Sequence, residues 1–186
     1  MLGLEPNTPL EQCAIAAFGK EAQLMIMYKG LMDLARRSGE VLNFSPSVVY
    51  EADEFDYSLG TDEWLKHKPT KDASLRTDDK IIGAYSIAKL KNGEKSFRYM
   101  DAADIEKLRA HSKQKNGSFW TNHKAAMYIK SVTRQHCKYL PRTPELMRAI
   151  AIEDARDEGK QAQWDALDLP DGAVEVIRSA ESESNQ

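Results

Sequence analysis

Apolar residues fall into short runs and alternations over the first half of the chain and into a helical spacing over the second. Two apolar runs, 13–19 and 22–28, flank Gly19-Lys20-Glu21 and predict a β-hairpin. From Lys29 to Ser38 the spacing turns helical, with Leu31, Leu34 and Ala35 on one face and Gly39 at the C′ position. Strand-like segments rich in Val, Tyr and Phe follow at 41–51, 54–58 and 63–68, and the polar stretch 69–79 reads as a flexible loop. Segments 80–91 and 95–100 flank Asn92-Gly93, a strong two-residue hairpin signal. Asp101 is placed to cap a helix through about Ser112, followed by a Lys/Asn/Gly loop at 113–119. Asn122 is placed to cap a longer helix that ends near Tyr139, ahead of Pro141. Thr143-Pro144-Glu145, an N-cap followed by proline at N1, opens a further helix to about Glu158.

This order predicts an α+β fold, with antiparallel strands and hairpins in the first half packed with helices mainly in the second. Residues 1–158 are expected to form one domain. From Gly159 the composition becomes acidic and Ser-rich, so 159–186 is expected to be a largely disordered tail. At the other end, Leu2-Gly-Leu-Glu-Pro6 has the form of a helix exit, with Gly3 at C′ and Pro6 shortly after.

Charge sharpens the division. The 186 residues carry 26 basic and 29 acidic side chains, net −3, which by itself argues against a general nucleic-acid binder. Residues 151–186, however, hold ten acids and three bases, so the first 150 residues are net basic. Within 101–150 ten bases face four acids. No run approaches the ~18–20 apolar residues of a membrane span. The N-terminus lacks a basic n-region and an apolar h-region, and the chain is expected to be cytoplasmic. Cys13 and Cys137 lie far apart without CxxC or paired-His spacing, which excludes a disulfide scaffold and a zinc finger.

Familiar catalytic patterns are absent: there is no P-loop, GxSxG, HExxH or EF-hand loop. His67, His111, His123 and His136 show no metal spacing. Asp53-Glu54-Phe55-Asp56 has two readings, a solvated turn or a divalent-metal site of a nuclease using Asp53 and Asp56. The turn is favoured, because no strand-borne Glu-x-Lys lies nearby.

The helix 122–139 carries the stronger signal. Lys130, Arg134 and Lys138 recur at i, i+4 and i+8 on one face, and no acid occurs between Asn122 and Pro141. An unbalanced cationic stripe favours a phosphate backbone, since each contact releases counterions; a solvated basic face is the plainer reading. Phe119 and Trp120 stand just ahead, and aromatics beside cations hold single strands by stacking worth ~1–3 kcal/mol per base. Trp120 reads equally as a core plug. A second concentration is Tyr28-Lys29-Gly30 at a strand-to-helix turn, with Arg36-Arg37 further along the same helix. Gly30 there leaves room for close approach of a ligand.

At these residues the chain resembles the RecT family of phage-type single-strand DNA annealing proteins. The resemblance runs through Leu2-Gly-Leu-Glu-Pro6, Tyr28-Lys-Gly-Leu31, Asp33-Leu-Ala-Arg-Arg-Ser-Gly39, Val49-Tyr-Glu-Ala-Asp-Glu-Phe55, Ile82-Gly-Ala-Tyr85, Ala88-Lys-Leu-Lys-Asn-Gly93, Trp120-Thr121 and Lys138-Tyr-Leu-Pro141. It covers about residues 2–150 in the same order. It implies ATP-independent binding of single strands, and annealing of complementary strands in phage or prophage recombination by a homo-oligomeric ring or filament. It also implies no catalytic centre and no cofactor, with Mg²⁺ acting on the annealing DNA rather than at a protein site. A phage 5′→3′ exonuclease is the implied partner, through the C-terminal region. By this likeness Tyr28, Lys29, Arg36, Arg37, Phe119, Trp120, Lys130, Arg134 and Lys138 face DNA, the cations on phosphate and the rings on bases.

Three departures stand out. The chain starts inside Leu-Gly-Leu-Glu-Pro, where relatives carry a preceding helical region that helps subunits meet. Phe119 replaces a frequent proline, and the paired arginines of the long helix are Arg134-Gln135. A shortened homologue that only binds single strands or co-assembles is therefore the alternative reading.

Overall fold

A computed structural model describes residues 2–18, 21–113 and 115–158. Its order of elements is β1 (Cys13–Phe18), β2 (Glu21–Ile26), α1 (Tyr28–Arg37), β3 (Val41–Tyr50), β4 (Glu54–Ser58), β5 (Trp64–Lys68), β6 (Ile81–Leu90), β7 (Lys95–Asp101), α2 (Ala102–His111), α3 (Ser118–Asn122), α4 (Lys124–Cys137) and α5 (Pro144–Asp157). The strands form two hairpins, β1-β2 and β4-β5, and a three-stranded antiparallel sheet ordered β3-β6-β7. The α+β expectation holds, and the helices lie mainly in the second half. The turn residues Gly19 and Lys20 and the acidic segment 159–186 lie outside the described residues.

Local chemistry sets most boundaries. Gly93 turns the β6-β7 hairpin at φ +90°, which glycine adopts without strain. The Asp101 carboxylate accepts the Asp104 N–H at 2.7 Å, and the Thr143 hydroxyl accepts that of Leu146 at 3.2 Å, so both N-caps form where expected. Segment 69–79 is a loop between β5 and β6 that carries a 3-10 turn at Ala73–Leu75, capped by Asp72, and leads into another at Asp78–Lys80. One expectation fails. Asn122 does not cap the long helix; it ends α3, and the chain breaks at His123 with φ −138° and ψ 47° before α4 begins. The extra turn seats Trp120, which is only 7% exposed, in the core, and α4 leaves in a new direction.

The sheet separates two environments. Phe44, Val48, Ala84, Ser86, Ala88 and Met100 alternate onto one face, are buried, and meet α4 and its neighbours. Ile26, Leu31, Leu34, Phe44, Leu146 and Ile150 form one apolar cluster, and Val48, Ile105, Trp120, Tyr128 and Val132 a second. Burying such side chains contributes roughly 1.5–3 kcal/mol each.

Polar residues also sit in this interior, His136 among them. His136 on α4 is hydrogen-bonded through Nδ1 to the Ser86 hydroxyl (2.7 Å) and through Nε2 to that of Ser96 (3.0 Å). A neutral imidazole, one donor and one acceptor, satisfies both serines in either tautomer. Burial, aided by the Arg98 charge, pushes its pKa down to about 4 from 6.5. Between those values the unfolded chain binds a proton that the folded one refuses, so this contribution is intact above pH 6.5 and lost as pH falls towards 4. The loss amounts to about 3 kcal/mol in all. Urea titrations at pH 7 and 4.5 are expected to show a smaller acid loss in His136→Gln than in the parent; equal losses would clear His136 of the effect.

The β4-β5 hairpin is rooted just as firmly. The fully buried Asp53 carboxylate accepts the N–H of Tyr50 and of Thr70, each at 2.8 Å, and lies 2.9 Å from His67 Nε2. Burial opposes its ionisation, but the two amides and the His67 ring outweigh burial and hold its pKa below the usual value. His67 Nδ1 meets the Tyr85 hydroxyl at 3.1 Å, and Phe55 and Tyr57 pile onto Tyr85 and Tyr99. Asp56 instead sits on the exposed side and accepts the N–H of Tyr57. The acidic run is thus a structural turn followed by a strand start. Among the described residues no group of three His, Cys, Asp or Glu side chains is disposed to hold a metal ion.

Candidate nucleic-acid interface

Of the nine residues singled out in the sequence, seven line one of two places, and Arg37 and Lys138 line neither. The first is a cavity of about 240 Å³, lined among others by Phe119, Trp120, Lys130, Arg134, Arg156 and Met127. The second is a shallower groove where Tyr28, Lys29 and Arg36 meet Leu10, Pro46 and Ile129.

In the cavity the expectation of an unbalanced cationic stripe is overturned. A short Pro-bounded connection brings α5 back past α4, and α5 supplies three acids. Lys130 Nζ lies 2.5 Å from Glu153 Oε2, Arg134 Nη1 lies 2.5 Å from Asp157 Oδ2, and Lys138 Nζ lies 3.1 Å from Asp154 Oδ2. Glu153 is completely buried; it also accepts the Ile26 N–H at 2.8 Å and meets Arg156 at 3.0 Å. Lys130 is 7% exposed, and burial drives its ammonium pKa down to about 8, with Glu153 pulling the other way and Arg156 adding to the fall. Arg134 and Lys138 keep part of their surface in solvent. Trp120 is a core residue with the Arg109 guanidinium 5.3 Å over its ring, so the plug reading is the observed one. Phe119 is half-buried at the cavity wall. Lys113 and Lys115, on the adjoining loop, are exposed and have no carboxylate partner among the described residues.

The cations of α1 are engaged within the chain, Arg37 and Lys29 by residues 2–11 and Arg36 by β3. Arg37 donates to the carbonyls of Leu2 and Gly3, each at 2.7 Å. Arg36 reaches the Phe44 carbonyl at 3.3 Å, and Lys29 pairs with Glu11. Gln12 completes this strap: its amide oxygen accepts the Glu5 N–H, and its amide nitrogen donates to Asp33 at 2.9 Å. Leu2-Gly-Leu-Glu-Pro6 is therefore laid along α1, with Gly3 at φ +59°. Gly30 does permit a close approach, but what approaches is the Gln12 carbonyl; a Cβ at residue 30 would lie 2.2 Å from its oxygen.

Arg156 is a cationic cavity residue that the sequence pattern did not single out. It sits beside the acidic segment, where a lone arginine gives no periodic signal; only its i+3 spacing from Glu153 marks it. The three acids were visible at 153, 154 and 157, one helical face apart, yet nothing local told which helix they would meet.

The α+β fold thus carries a cavity with aromatic and cationic side chains in its wall. The model of the RecT family matches residues 1–164, and the chain belongs to that family. It is similar to Protein RecT of Escherichia coli (strain K12), with 37% identity over 161 residues, covering 82% of this chain and 58% of that protein. It is also similar to the uncharacterized protein YqaK of Bacillus subtilis (strain 168), with 28% identity over 147 residues, covering 77% and 49% respectively. The chain thus spans about half the length of these curated relatives. No helix among the described residues is long and apolar enough to cross a membrane.

Proposed function

We propose that this protein binds single-stranded DNA and anneals complementary strands without ATP, in homologous recombination, as an oligomer. Membership of the RecT family supports a recombination or annealing role. The observation that carries the reading to this chain is the cavity wall on which Phe119 and Arg134 stand, beside the exposed Lys113 and Lys115. The roles within it differ. Lys130 and Trp120 are structural: they hold the wall against α5 and the core. Arg134, Lys138 and the free Lys113 and Lys115 track phosphate at the rim, and Phe119 offers its ring to a base. Phosphate contact without base-edge readout suits a sequence-independent activity.

The test is mixing of two complementary oligonucleotides, one labelled, without ATP, with particle size measured on the same sample. Fast annealing by large complexes is the expected outcome. Binding by a small species without annealing would favour the shortened-homologue reading, and loss of labelled strand that requires Mg²⁺ would replace both with a nuclease.

A further inference from the structure

The ring of Tyr139 is 71% exposed, more than any other large apolar side chain among the described residues. Single exposed rings are ordinary, but this one is held in place. Its backbone N–H donates to the His136 carbonyl at 2.9 Å as α4 ends, and the Arg98 guanidinium lies 5.0 Å from the ring centroid. A cation thus fixes the ring, and most of its surface is left to solvent. Arg98 stands on the edge strand β7, opposite Ser86 and therefore on the α4 side of the sheet. It has no carboxylate partner among the described residues, its Nε is buried without an acceptor, and its charge opposes protonation of His136. The dipole of α4 does not call for it, because Arg134 and Lys138 already occupy that helix end. The exposed side of α4 joins this ring to the cavity. Ser131 lines the cavity, Gln135 and Tyr139 follow it at i+4 and i+8, and Arg134 and Lys138 run beside them. The 14 residues of α4 span about 21 Å, with Phe119 ahead of its start and Tyr139 just past its end.

Resting on the single-strand reading above, we infer that Tyr139 and Arg98 form a further contact point for the strand that Phe119 and Arg134 engage. A base stacks on the open side of the Tyr139 ring, and the adjoining phosphate pairs with the Arg98 guanidinium. A ring with a cation fixed against it offers both contacts that hold a single strand, stacking and phosphate pairing. Charge complementarity selects the occupant: an apolar peptide would cover the ring and leave Arg98 without a counter-charge, whereas a nucleotide brings a flat base and an anion together. Both contacts address parts that every nucleotide shares, so no sequence is selected. Phe119 and Tyr139 belong to the helical layer on one side of the sheet, which lets one strand run along α4 from ring to ring. The bases between the two rings keep their pairing edges free, as annealing requires.

Tyr139→Ala tests this, with Tyr139→Phe and Arg98→Gln beside it. The ring is exposed, so its truncation leaves the fold intact, and a urea midpoint equal to the parent's confirms this before use. Equilibrium affinity for a labelled thymine oligonucleotide is then measured across a salt series. Tyr139→Ala is expected to bind at least about fivefold more weakly, the lower end of what one stacked base contributes, with an unchanged log–log salt slope. Tyr139→Phe keeps the ring and is expected to bind as the parent does. Arg98→Gln is expected to lower the slope by about 0.7, the value of one phosphate contact on a single strand. Parental affinity in Tyr139→Ala overturns the inference and leaves the single-strand reading standing. An equal loss in Tyr139→Ala and Tyr139→Phe overturns it too, since the hydroxyl and not stacking would then be responsible. The expected losses in a protein that binds single strands without annealing them keep the contact point and remove annealing. A parent that binds no oligonucleotide overturns both.

Discussion

Glu153→Ala is expected to destabilise the fold by about 3–5 kcal/mol, the usual consequence of removing one partner from a buried ion pair. The carboxylate has no exposure and three partners, the Ile26 N–H, Lys130 and Arg156. Alanine leaves two cations in the interior and one amide of β2 without an acceptor, each with its own desolvation cost. Glu153→Gln keeps an oxygen for Ile26 and loses only the charge, so it should fall between alanine and the parent. Urea midpoints give the comparison. A loss below about 1 kcal/mol for alanine would mean that Lys130 and Arg156 re-pair elsewhere, and would take Glu153 out of its central place.

Gly30→Ala is the second large effect, and its direction runs against local propensity. In a helix interior, alanine exceeds glycine by about 1 kcal/mol. Here the new Cβ would meet a backbone oxygen at 2.2 Å, far inside contact distance. That oxygen cannot withdraw cheaply, because it accepts the Met27 N–H at 2.9 Å and belongs to the strap held by Gln12 and Asp33. Overpacking of this kind costs about 1–3 kcal/mol or more, and at least about 2 kcal/mol is expected by thermal or urea unfolding. A neutral or stabilising substitution would show that segment 2–12 lifts away freely.

These two residues also mark where sequence reading reached and where it stopped. Element positions were legible because their causes are local: alternation in β3 and β6, Asn92-Gly93, the Asp101 cap and Thr143-Pro144. The break at His123 was not, since burying Trp120 is a tertiary demand that helical spacing does not record. For the site, Lys130, Arg134 and Lys138 were correctly placed on one helical face, but their partners lie 16 to 23 residues further along the chain. Pairing across such a gap depends on how α5 returns, which no local pattern carries. The same holds for Gly30: the need for close approach was legible, the identity of the neighbour was not.

The root of the β4-β5 hairpin has a mechanical consequence. An arm joined to a body by two chain crossings can ordinarily swivel at either one. In this molecule both crossings are fastened to the same carboxylate, the outgoing one through the Tyr50 amide and the returning one through that of Thr70. Two bearings become one welded joint, and Phe55 and Tyr57 brace the arm against Tyr85 and Tyr99. A load applied at the exposed tip, where Leu59 and Trp64 stand in solvent, is therefore passed as torque into β6 and β7 rather than absorbed by a hinge.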